Sequence, residues 1–236
     1  LRAREFRQIT GLEHARGPIE MDIHARLSAL GTATVGAVAP AMRILDPAIR
    51  PLAPGMAAAG TALTVRCLPG DNLALHRAIA AARPGDLLVV DYGASTGSGP
   101  FGEIMALACR MRGIAGLVID GSVRDSGPIA AAGFPVFARG LNIIGTVKHD
   151  PGEIGAPVRV GGVEVATGEI VIADGDAVIV LPAEGIEAVA AAAEARAAQE
   201  AAMMARIRAG ETTLAILGLD PGAGLGAGGP EARMRD

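Results

Sequence analysis

Two apolar runs, Leu87–Val90 and Leu117–Ile119, stand on either side of a glycine-rich loop (Gly93–Gly102) and a segment of helical character, Glu103 to Arg112. A short continuous apolar run reads as a strand buried on both faces, which is the habit of a parallel sheet. Strand 87–91, helix 102–112 and strand 115–120 therefore form a β-α-β unit, whose crossover should be right-handed. The unit restricts the chain to an α/β architecture. It also gathers the loop, the helix start and the pair Arg124-Asp125 at one end of the sheet, where open α/β sheets place their ligands.

The remaining segments are arranged around that unit. Asp22 to Leu30 has helical spacing and stops at Gly31, and a second short helix is expected through Val38. Pro40, Pro47, Pro51 and Pro54 make 40–58 a loop, and Thr61–Arg66 alternates as a strand. Pro69-Gly-Asp-Asn72 is a turn whose Asp71 or Asn72 can cap a helix over 73–82. A short helix is expected over 126–132, with strands over 134–138, 145–148, 157–160, 163–165, 169–173 and 177–181. Ala183 to Ala209 is alanine-rich, with glutamate early and Arg206 and Arg208 late, as the helix dipole favours. Residues 1–17 read as a loosely held arm and 220–236, rich in Gly, Ala and Pro, as a disordered tail. An α/β front half thus joins a β-rich back half without a linker, and one compact domain is expected.

Half of the 236 residues are hydrophobic but only 2% are aromatic, so the core must be built of Ala, Val, Ile and Leu. A net charge of −4 and a pI near 5.6 argue against a nucleic-acid or acidic-membrane surface, which needs a basic patch. No apolar run reaches the roughly 18–20 residues that span a bilayer. The charged start has no apolar segment behind it, so no signal peptide is expected. Cys67 and Cys109 lie far apart in no metal-ligand spacing and read as separate thiols of a reducing compartment. The expectation is a soluble, cytoplasmic protein. The histidines, His14, His24, His76 and His149, show no metal spacing. No G-x-S-x-G elbow is present, and Lys148 is the only lysine, so neither nucleophilic nor Schiff-base chemistry is indicated.

Gly97-Ser-Gly99-Pro-Phe-Gly102 matches the dinucleotide-binding pattern G-x-G-x-x-G, but Tyr92 to Thr96 separate it from the strand and Pro100 interrupts it. What survives is the helix start: the backbone amides of Gly102, Glu103, Ile104 and Met105 offer a site for a carboxylate or phosphate. The alternative is a flexible loop capped by solvent. In Gly121-Ser-Val-Arg124-Asp125, the arginine offers fixed donors to a carboxylate and the aspartate an oxygen to a hard cation. The alternative there is a surface ion pair in a turn.

An acid, Glu103, then twenty residues (104–123), then Arg124-Asp125 resembles the signature of the RraA-like superfamily. The resemblance spans roughly residues 27 to 182. It includes Pro69-Gly-Asp-Asn72, Arg83-Pro-Gly-Asp86, Phe101-Gly-Glu-Ile104, Arg112-Gly-Ile-Ala-Gly116, Ile119–Asp125, Gly133–Gly140, Gly145-Thr-Val-Lys148 and Gly168–Asp174. It implies a layered α/β/β/α sandwich of the swivelling β/β/α type over 18–182, in homotrimers or hexamers; the alanine and methionine surface of the C-terminal helix (183–210) suits packing against another helix or a neighbouring subunit. It further implies a metal-dependent pyruvate aldolase resembling 4-hydroxy-4-methyl-2-oxoglutarate / 4-carboxy-4-hydroxy-2-oxoadipate aldolase, with oxaloacetate decarboxylase side activity. Asp125 would bind Mg²⁺ or Mn²⁺ directly, Glu103 would hold a metal-bound water, and Arg124 would contact the keto-acid substrate. The amides of Gly102 to Met105 would grip its carboxylate. Two departures from the family pattern stand out: Glu103 replaces a frequent aspartate, and the late turn reads Asp174-Gly-Asp-Ala177. Some members of the superfamily are instead non-catalytic regulators of an endoribonuclease, and the motif is compatible with that alternative.

Overall fold

The computed structural model describes residues 21–219. The expected N-terminal arm (1–17) and C-terminal tail (220–236) lie outside the described residues. The chain divides into two compact units, one running to Ala193 and the other from Glu194 onward.

The first unit is built on a 9-stranded sheet. In chain order its elements are α1 (Met21–Gly36), β1 (Arg43–Ile44), β2 (Arg50–Pro51), β3 (Ala58–Arg66), α2 (Leu73–Ala81), β4 (Asp86–Ser95), α3 (Glu103–Met111), β5 (Gly116–Val123), α4 (Ser126–Ala131), β6 (Val136–Leu141), β7 (Glu153–Ile154), β8 (Val158–Val160), β9 (Val163–Val165), β10 (Ile170–Ala173) and β11 (Val178–Leu181). The main path of the sheet is β1-β11-β10-β3-β4-β5-β6-β2, and β7 pairs with the far end of β3. Strands β3, β4, β5 and β6 are mutually parallel, as the apolar runs predict, and the outer pairings are antiparallel.

Alternation along β4 shows why both faces are dry. Leu88, Val90 and Tyr92 pack with α2, α3 and α4 through Leu75, Ala78, Met105, Cys109 and Ile129. Leu87 and Val89 point the other way, into a cluster with Val158, Val160 and Val165 of the β8–β9 hairpin. A third cluster covers β10 and β11 with Ile23, Leu27 and Val35 of α1 and with Ile186, Ala190 and Ala193. The result is a mixed α/β arrangement with a helical layer, a central mixed sheet and a second small β layer. The expected β-rich back half is therefore not separate: β10 and β11 extend the same sheet beside β3.

Several boundaries differ from expectation. The 40–58 stretch carries β1 and β2, two-residue strands whose pairing is supplied by β11 and β6 rather than by local preference. Segment 145–148 is no strand; only Val147 forms an isolated bridge, to Asp71. Strand β5 runs through Val123, so Gly121, Ser122 and Val123 belong to the sheet and the loop after it begins at Arg124.

The second unit consists of the later part of α5 (Ile186–Arg208) and a four-residue helix, α6 (Thr213–Ile216). Arg206 and Glu211 form a two-pronged ion pair at the end of α5, and Thr212 caps α6. No described helix is long and apolar enough to cross a membrane.

Candidate active site

Helix α3 starts at Gly102, whose carbonyl accepts from Met105 and Ala106, each at 3.0 Å. Phe101, immediately before it, is fully buried and stacks on Phe134 with ring centroids 6.1 Å apart, which anchors the helix start in the core. Beside this start lies the turn after β5. Arg124 donates its amide to the Phe101 carbonyl at 2.9 Å, and the Glu103 amide donates to Asp125 Oδ2 at 3.1 Å. The structure thus brings Gly102, Glu103, Arg124 and Asp125 to one place.

The fit is close. A Cβ built on Gly102 would lie 2.5 Å from Asp125 Oδ2 and 3.0 Å from Arg124 Nε. Asp125 itself is left-handed (φ 58), an uncommon state for a residue with a side chain and one that gathers at functional sites. It holds the N-cap position of α4 without capping it; its carboxylate instead faces α3. Arg124 Nε stands 3.8 Å from Asp125 Oδ2, and both side chains are nearly half exposed, so their attraction adds little stability.

The predicted amide cradle is only partly free. Glu103 uses its amide on Asp125, and Met105 turns its own to the Gly102 carbonyl. The side chain of Met105 is buried, whereas Glu103 and Ile104 are exposed.

Around the site, the glycine loop packs against the segment after β6. Gly99 donates to Ile144 O at 2.8 Å, Asn142 Nδ2 to Thr96 O at 2.7 Å, and a Cβ on Gly99 would collide with Asn142 O. Asn72 reaches in from the other side, donating Nδ2 to Pro100 O at 2.8 Å; its Oδ1 is buried and without a partner. Asn72 does not cap α2; Asp71 serves that end, accepting from Leu73 at 2.8 Å and from His149 and Asp150. Burial alone would raise the Asp71 carboxyl, but the amides of Leu73, Asp150, His149 and Asn72 outweigh it and hold it below the ordinary carboxylate value. Asn142 escaped the sequence reading, because nothing in local spacing marks a polar group that acts through a loop.

Among the described residues, no three His, Cys, Asp or Glu side chains gather as a metal-binding group. Mg²⁺ does not require such a cage; it keeps several waters and uses one or two carboxylates with the ligand's oxygens. Asp125 and Glu103 both carry exposed carboxylates, hard oxygen donors on residues joined by the amide contact at the start of α3, so the residue types fit such an ion. Cys67 and Cys109 are buried and unbridged, and burial pushes each thiol up to about 12, the environment of a structural rather than a reactive cysteine.

Residues 32–180 match the model of a family described as RraA-like, Aldolase/RraA. A protein of Halalkalibacterium halodurans named "Putative 4-hydroxy-4-methyl-2-oxoglutarate aldolase" is 32% identical over 163 residues, covering 69% of this chain and 78% of the relative. An uncharacterized protein from Pseudomonas syringae pv. tomato has a TM-score of 0.73 at 25% identity, covering 83% of this chain and 92% of its own. The RNA-processing inhibitor RraA from Thermus thermophilis has a TM-score of 0.60 at 27% identity, covering 64% and 92%. The matched stretch contains the whole parallel core, the hairpin and the junction where the start of α3 meets Arg124 and Asp125, and the chain belongs to the RraA-like family.

Proposed function

We propose that the protein is a divalent-metal-dependent (class II) pyruvate aldolase that cleaves a 4-hydroxy-2-oxo di- or tricarboxylic acid to pyruvate and a second keto acid. Decarboxylation of oxaloacetate is the expected side activity. The observation that carries this reading is the junction at Gly102, where a helix start, an arginine and a left-handed aspartate meet with no room for a methyl group. The aldolase name of the Halalkalibacterium relative supports it.

The amides of Gly102 and Ile104 are those left for the substrate's 1-carboxylate, at the positive end of α3. Asp125 would hold a divalent cation directly and Glu103 would hold it through water, and the cation would supply Lewis-acid polarisation of the 2-oxo group. The C4 hydroxyl proton leaves toward the Glu103 carboxylate by way of water. The C3–C4 bond then breaks, C4 becomes the carbonyl of the second keto acid, and the electron pair passes into the pyruvate fragment. Arg124 stands beside that developing negative charge, and a proton returned to C3 completes pyruvate. In oxaloacetate the C3–C4 bond breaks with the same electron flow, and C4 leaves as carbon dioxide.

Pyruvate release coupled to lactate dehydrogenase, with Mg²⁺ and with excess EDTA, tests the reading. Arg124→Ala and Asp125→Ala should each abolish release while leaving the assembly intact; activity that survives both substitutions and chelation rejects it. A second reading, a non-catalytic regulator of an endoribonuclease, is favoured by the likeness to the Thermus RNA-processing inhibitor. Inhibition of an endoribonuclease that persists in Arg124→Ala, with no pyruvate formed from any hydroxy-keto acid, would select it. The assembly proposed is a homotrimer or hexamer, with α5 as the element placed against a neighbouring subunit.

A further inference from the structure

Strand β4 does not run straight into the glycine loop. It pairs with β5 through Asp91 and Asp120, then resumes at Ser95 opposite Gly121. While β5 advances by one residue, β4 passes through Tyr92, Gly93 and Ala94, and the last two take left-handed backbone (φ 63 and 55). Such bulges re-aim a side chain, and here the one re-aimed is Tyr92. Its ring is fully buried against Gly121, where a Cβ would stand 2.7 Å from Tyr92 Cδ1.

The phenol oxygen belongs to a fully buried side chain and is satisfied by two particular partners. It accepts from the Gly70 amide at 2.6 Å and lies 2.7 Å from Ser98 Oγ. With the amide as donor, the phenol's own proton is available to Ser98. The Ser98 carbonyl in turn accepts from Ser122 Oγ at 2.7 Å, two residues before Arg124. Ser98 and Ser122 are both buried. One polar chain therefore ties the Pro69–Asn72 turn, the glycine loop and the end of β5, the segments that set α3 against Arg124 and Asp125. A phenylalanine would fill the same space, so packing does not account for the hydroxyl.

We infer that Tyr92 is a positioning residue of the site: through Gly70 and Ser98 its hydroxyl fixes the glycine loop, and thereby the placement of Gly102 opposite Asp125. The role rests on the aldolase reading. Tyr92→Phe and Ser98→Ala should each lower kcat/KM for Mg²⁺-dependent pyruvate release roughly 10- to 100-fold, the usual effect of removing an orienting partner. Because both cut one link, the double variant should fall no further than the worse single. Thr64→Val is the control: it removes another buried hydroxyl, which donates to Ala156 O, and should lose stability while keeping kcat/KM.

Three results overturn the role: an unchanged kcat/KM in Tyr92→Phe, fully multiplicative losses in the double variant, or an equal loss in Thr64→Val. If Tyr92→Phe does not fold, Ser98→Ala and Ser122→Ala decide, and full activity in both overturns the role. Wild-type protein that releases no pyruvate overturns the aldolase reading and this role with it. An active wild type beside an unimpaired Tyr92→Phe overturns the role alone.

Discussion

Gly102 has an ordinary extended backbone (φ −148, ψ −170), so conformational freedom is not what calls for glycine there. The Asp125 carboxylate and Arg124 guanidinium occupy the space that a side chain would take. Gly102→Ala should therefore displace Asp125 and cost roughly 10- to 100-fold in kcat/KM with only a small drop in melting temperature, as for other changes that disturb a ligand's placement. The coupled pyruvate assay and a thermal melt check both halves of that statement. At this scale the sequence was informative for residues adjacent in chain or motif. That the helix start at Gly102 lies beside Arg124 and Asp125 is legible because a helix start and a strand end must meet across a β-α-β unit, whereas the Glu103 carboxylate is singled out only by its spacing to Arg124-Asp125 in the family pattern. Asn72, Ser98 and Asn142 were not legible as site residues, since their contacts run through backbone carbonyls of a loop whose path no periodicity reveals.

Helix α1 bends at Gly31 (φ 77), where the sequence reading also stops its first helix. The segment after the bend starts at Thr32, and Asp174, in the turn before β11, meets it: the carboxylate accepts from the Thr32 amide at 2.6 Å and from its hydroxyl at 2.7 Å. Burial alone would raise the Asp174 carboxyl, but those two bonds and the amides of Asp176 and Ala177 pull it below its ordinary value of 3.8. A carboxyl depressed in the folded state contributes stability that is present above the unfolded value and lost as pH falls through the folded one. Asp174→Asn should thus be less stable by about 1 kcal/mol at neutral pH, the scale of a helix cap. Its deficit should shrink below about pH 4, which urea unfolding midpoints across pH would show. The same turn departs from the family's usual spelling, and its first aspartate, Asp174, holds the second part of α1 through Thr32. Strands β1 and β2 were hidden in a proline-punctuated loop because each is only two residues long and owes its pairing to a distant partner. The reverse happened at 145–148, whose strand-like composition is overridden by Asp71, which holds the amides of His149 and Asp150.

For the molecule as a whole, the α/β class and the parallel core were readable from two apolar runs. That one sheet absorbs both halves was not, because antiparallel β10 joins β3 across more than a hundred residues of chain. The outer face of α3 is exposed and apolar at Ile104, Leu107 and Met111, with Ile143 and Ile144 also exposed on the loop after β6. Isolated exposed apolar residues are common, but a helical stripe of them marks a contact surface. If the proposed trimer or hexamer uses this face, Leu107→Glu and Met111→Glu should shift the sedimentation coefficient toward that of a monomer; an unchanged value would place the interface elsewhere. The chain also holds one tyrosine and no tryptophan. All of its tyrosine emission therefore comes from the Tyr92 phenol, whose hydroxyl touches the glycine loop, so the unlabelled protein carries its own optical probe of that loop.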